Sequence, residues 1–88
     1  MSIYDPLKRQ LQLSREISPV LSFEDIEGLI GQALPKSSYE YDAWWSNEDP
    51  DKTTHVQSKA WTTAGFDAEV NRRRSQVTFK RRTPAAGG

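Results

Sequence analysis

The side chains best suited to recognition chemistry sit close together, between Asn47 and Lys59. Asn47 and Gln57 carry carboxamides, which present a donor beside an acceptor and can read adenine with two bonds. Ser58 or a neutral His55 can each add one more. Lys59 follows. Farther on, Arg72-Arg73-Arg74 and Lys80-Arg81 supply cations that could hold phosphates or reach into a minor groove. The same region also offers a second chemistry. Tyr39, Tyr41 and Trp45, set among Glu40, Asp42, Glu48, Asp49 and Asp51, resemble the aromatic anchors that centre protein–protein contacts.

Catalysis is poorly served. His55 is the only histidine and has no cysteine to pair with, because the chain has none. No serine occupies a nucleophile elbow, and Gly28, Gly31 and Gly65 lack phosphate-loop spacing. Glu24, Asp25, Asp49 and Asp51 read as helix caps and loop charges. Thiolate metal sites and disulfides are excluded, so the expectation is a non-enzyme with no cofactor and no metal. The opening Met-Ser-Ile-Tyr-Asp lacks the regions of a signal peptide, and no apolar run is long enough to span a bilayer. A cytoplasmic protein of a prokaryote or virus, with no membrane contact, is the simplest expectation.

The formal net charge of zero conceals an asymmetry. Residues 1–60 hold six Lys or Arg against ten Asp or Glu, a net of −4, while residues 61–88 hold six against two, a net of +4. A cationic end of this kind suits phosphates, an acidic partner surface, or plain solubility.

Eighty-eight residues allow one small domain, near the lower size limit for folding without staples. Asp5-Pro6 predicts a helix from about Pro6 to Leu13, with Leu7 and Leu11 on one face. Ile17-Ser-Pro-Val-Leu21 reads as a short strand. Ser22-Phe-Glu-Asp25 caps a second helix whose stripe is Phe23, Ile26, Leu29 and Ile30, and Gly31 ends it. Ser37 or Ser38 can cap a third helix, over 38–46, carrying Tyr39, Ala43 and Trp44, with Trp44 in the core and Trp45, turned about 100° away, nearer the surface and partly buried. After a charged loop, Thr53 or Thr54 can cap a fourth helix over 55–64, with Val56, Ala60 and Trp61 on its inner face. Asn47 then reads as a helix C-cap or a base-reading group, and His55 as a helix start or a contact. Phe66, Ala68 and Val70 alternate, as do Val77 and Phe79, predicting a hairpin with the arginine triplet at its tip. Residues 1–82 form the expected domain, and 83–88 a disordered tail ending in Gly87-Gly88.

This order is that of an α+β, winged helix-turn-helix-like domain, with three to four helices and a small antiparallel sheet of two to three strands. In such a domain one helix enters the DNA major groove and the hairpin touches the adjacent backbone.

The run Leu34-Pro35-Lys-Ser-Ser38, Tyr39, Ala43-Trp-Trp-Ser-Asn47, His55, Gln57, Ala60-Trp61, Ala64-Gly65 and Val77-Thr-Phe79 resembles a small uncharacterised domain family of bacteria and phages. Its signature is Trp-Trp-x-Asn, His-x-Gln, Ala-Trp and Ala-Gly, and it is sometimes attached to restriction-type nucleases. The resemblance covers residues 3–81, and it implies DNA handling through that association. The Glu48-Asp-Pro-Asp51 insertion and the segment after Arg82 depart from the family pattern. The sequence thus raises two expectations. One is a module that binds duplex DNA through the helix near His55 and the basic wing. The other is a small phage or mobile-element protein that binds and inhibits a host protein.

Overall fold

The computed structural model describes residues 2–49 and 51–82. The expected tail, 83–88, lies outside the described residues. The elements are α1 (Asp5–Leu13), β1 (Val20–Ser22), α2 (Phe23–Ile30), α3 (Lys36–Glu40), a 3-10 helix (Asp42–Trp45), α4 (Val56–Thr63), β2 (Phe66–Asn71) and β3 (Gln76–Arg81). The sheet is antiparallel throughout, in the order β1-β3-β2, with Val20 opposite Thr78 and Ala68 opposite Phe79. The fold is α+β and winged helix-turn-helix-like: the early strand joins the hairpin, and α4 runs directly into the wing.

Local chemistry explains the most regular elements. The Ser22 hydroxyl accepts the Asp25 N–H at 2.9 Å, and the Asp25 carboxylate accepts the Ser22 N–H at 3.0 Å. This reciprocal box holds the start of α2. Gly31 ends the helix in the left-handed region, at φ 76°, where a side chain would be strained. At the wing, Arg74 and Ser75 return N–H bonds to the Asn71 and Arg72 carbonyls, closing a tight turn with Ser75 at φ 51°. The first helix begins one residue earlier than expected, at Asp5, whose carboxylate accepts the Ser2 N–H.

One aromatic column organises the core. Phe23 and Trp45 stack at 5.1 Å, Trp45 and Trp61 at 5.7 Å, and Trp61 leans on Phe79 at 6.0 Å. Leu7, Leu11, Ile26, Phe66 and Val77 surround it and are buried. Ile30 and Trp44, expected within this core, are only partly buried at its margin.

The expected third helix is not continuous. α3 stops at Glu40, Tyr41 is extended at φ −130°, ψ 126°, and a 3-10 helix follows. That interruption resets the rotational phase of the chain, so Trp45 points inward at 2 % exposure while Trp44 packs edge-on against it. Trp45, expected nearer the surface, is thus the buried ring, while Trp44, expected in the core, is partly buried against it. The Trp45 indole N–H donates to the Ser38 carbonyl at 2.9 Å, satisfying one of the carbonyls that the short α3 leaves open. Neither Ser37 nor Ser38 caps α3: Pro35 occupies the cap, and the buried Ser38 hydroxyl donates to its carbonyl. His55 occupies the cap position of α4, and Thr53 accepts the His55 N–H instead of capping the helix itself.

Candidate nucleic-acid interface

α4 presents a narrow outer stripe. Ser58, Ala60, Trp61 and Thr62 are buried, which leaves Val56, Lys59 and Thr63, spaced three and four residues apart, facing outward. Val56 was expected on the inner face. Its position at the first turn, beyond the packed core, leaves it 46 % exposed. His55 sits exposed at the start of the stripe, and Gln57 is half-buried.

The polar groups expected beside α4 divide into two sets. Asn47 is tied into the body. Its carboxamide accepts the Trp61 indole N–H at 2.9 Å, accepts the Ala68 N–H at 2.6 Å, and donates to the Ala68 carbonyl at 3.0 Å. Ser58 is also held: its hydroxyl donates to the Ser46 carbonyl at 2.9 Å and accepts the Glu48 N–H at 3.0 Å. These two residues pin the 46–48 segment against α4 and β2. His55 remains at the surface, with Nδ1 2.7 Å from the Glu48 carboxylate. That hydrogen bond holds Glu48 below the usual carboxylate range.

The cations divide in the same way. Arg72 pairs with Asp42, Lys80 with Glu69 at 2.7 Å, and Arg82 with Asp67 at 2.7 Å. Arg81 lies 4.6 Å over the Phe66 ring and donates to the Ser14 and Glu16 carbonyls. Lys59, Arg73 and Arg74 are exposed and form no ion pair among the described residues. The tethers Asp42, Asp67 and Glu69 escaped the sequence reading. Those on the hairpin could have been read from its register, since Asp67 stands opposite Lys80 and Glu69 opposite Thr78, one diagonal step from Lys80. Asp42 meets Arg72 across thirty positions of chain and left no local signal.

Beside the wing, an open groove of about 710 Å³ runs between Tyr39 and Asp42 on one side and Glu69–Arg73 on the other. The Tyr39 hydroxyl donates to Glu27 at 2.8 Å, and this bond raises its pKa above that of an ordinary phenol. The same Glu27 oxygen accepts the Leu34 N–H, so the exposed ring is held in place. Tyr41 is 60 % exposed. Of the three aromatics considered as protein anchors, Tyr39 and Tyr41 are at the surface and Trp45 is not.

Among the described residues, no cluster of His, Cys, Asp and Glu is placed to hold a metal ion, and no helix is long and apolar enough to cross a membrane.

A family model described as a domain of unknown function, DUF7662, matches residues 4–83. The chain belongs to that family. No curated protein and no solved structure matches it. The DUF7662 match takes in the aromatic column, the Asn47 contacts and the wing together, so all three lie within a single family domain.

Proposed function

We propose that this DUF7662 domain binds duplex DNA, with the outer stripe of α4 facing the major groove and the wing tip touching adjacent phosphates. The contact set is Lys59 with His55, Val56 and Thr63 on the helix, and Arg73 and Arg74 on the wing. The observation that carries this reading is topological: α4 immediately precedes an antiparallel wing whose tip holds two exposed arginines with no ion pair among the described residues. Asn47 and Ser58 act as supports for that surface, and base discrimination falls to the few side chains of the α4 stripe. Binding is therefore dominated by phosphate contacts and falls steeply with salt.

The test is binding to a randomised duplex pool at about 0.1 M salt, where specific complexes normally survive. Arg73→Ala and Arg74→Ala should each weaken binding to unrelated duplexes and flatten the slope of log affinity against log salt by about one unit. Lys59→Ala should change which duplexes are retained. An absence of duplex binding by the wild type would overturn the reading.

One observation favours the second reading, a protein-binding module that inhibits a host protein: the oriented Tyr39 lines a groove in which Arg72 is already paired with Asp42, and Tyr41 close by in sequence is exposed. Under that reading, Tyr39→Ala releases a captured partner and the wing substitutions leave duplex binding unchanged.

A further inference from the structure

The two edges of the sheet are treated differently. On β2, Ala68 points its backbone groups outward, and the Asn47 carboxamide takes both of them. The chain from Asp42 to Asn47 follows that edge, tied at its start to Arg72 and at its end to Ala68. In the segment that leads into β1, the Ile17 and Pro19 carbonyls accept N–H bonds from Arg81 and Phe79 of β3. With Ile17 and Pro19 both bonded to β3, Ser18 between them and Val20 at the start of β1 turn their N–H and C=O groups away from the sheet. Among the described residues nothing bonds to them. Ser18 is exposed, and Val20 and Ile17 beside it are 52 % and 75 % exposed. Pro19, which would blunt an edge if its missing donor faced outward, faces β3 instead.

We propose that the edge formed by residues 17–21, the lead-in to β1 and its first two residues, pairs with the same edge of a second copy of this chain, antiparallel about a two-fold axis at Pro19, making one continuous six-stranded sheet. The edge fits a copy of itself. With the axis at Pro19, Ser18 of each copy lies opposite Val20 of the other, and each pair exchanges N–H···O=C bonds in both directions. Every free backbone group on this stretch is then used. A shift of the axis to Val20 would instead call on the Ser22 N–H, which already donates to Asp25. On the inner face, exposed Ile17 comes to lie against half-buried Leu21 of the second copy. No charge occurs from Ile17 to Ser22, so the two-fold axis sets no like charges against each other. The proposal uses none of the groups assigned to DNA and stands independently of that reading.

Sedimentation equilibrium of the full chain, from micromolar to millimolar, tests it. The apparent mass should rise from 10.0 kDa toward twice that value, and amide exchange at Ser18 and Val20 should slow as it does. Ser18→Pro removes the outward donor, and Ile17→Asp places a carboxylate against Leu21 of the second copy. Each should weaken association by about tenfold or more while tryptophan fluorescence stays native. Ile17→Asp changes only a side chain that is largely in solvent, so its fold is safe even if the proline disturbs β1. A mass that stays at 10.0 kDa throughout would overturn self-pairing. A dimer that persists in both variants would place the interface elsewhere and overturn it equally.

Discussion

Asn47 and Ala68 lie 21 residues apart in sequence, yet the carboxamide of one pairs with the backbone of the other in both directions, as a neighbouring strand would. The same Asn47 oxygen also accepts the indole N–H of the fully buried Trp61. One side chain thereby closes a sheet edge and satisfies a core tryptophan.

Asn47→Ala should for this reason act on stability. It leaves the Trp61 indole and the Ala68 amide without partners, at about 1–3 kcal/mol for each group that stays dry. Urea unfolding followed by tryptophan fluorescence should show a loss of about 2–6 kcal/mol if both groups stay dry. A loss well below 1 kcal/mol would mean that water replaces the carboxamide.

The two adjacent tryptophans should behave differently. Trp45→Ala removes the middle ring of the Phe23–Trp45–Trp61 column and its bond to Ser38, at about 3–5 kcal/mol, as should Trp61→Ala. Losses of that size are comparable to the whole stability of a small domain. Trp44→Ala, at a half-buried site, should cost distinctly less, and denaturant titration of the three variants ranks them.

Glu48 and His55 give a pH signature. The bond from His55 depresses the Glu48 pKa in the folded state. A depressed carboxyl contributes stability above its unfolded pKa and loses it as the pH falls through its folded value. Wild type should therefore be more stable than Glu48→Gln near about pH 6, and the gap should close toward about pH 2–3. Paired unfolding curves across that range measure it, and a gap that stays constant would mean that the carboxylate's charge is irrelevant.

Asp42 and Arg72 separate the functional readings from another side. If the wing holds phosphates, Asp42→Ala frees Arg72, strengthens duplex binding at low salt and steepens the salt slope by about one unit. Because the pair is exposed, the fold should lose less than about 1 kcal/mol. Filter binding at several salt concentrations reads the slope, and an unchanged slope would exclude Arg72 from the contact surface.

The sequence by itself determined the elements whose signals are short in range. The Ser22–Asp25 box, the Gly31 stop and the alternation of Phe66, Ala68, Val70, Val77 and Phe79 each act within a few residues, so they could be read without the fold. The charge imbalance of the C-terminal third was equally plain. Tertiary structure decided the rest. The extended Tyr41 shifts the phase of a tract whose spacing reads as one helix, and so chooses Trp45 over Trp44 for the core. Asn47 and Ser58, polar and well placed in sequence to read bases, are instead engaged by the body of the domain, because the buried Trp61 and Ala68 and the 46–48 backbone need partners. Which cations remain available depends on Asp42, Asp67 and Glu69, carboxylates brought to Arg72, Arg82 and Lys80 only when the chain folds. Bonds to partners far away in sequence turn a polar residue from a surface reader into a support, and those partners are supplied only by long-range packing.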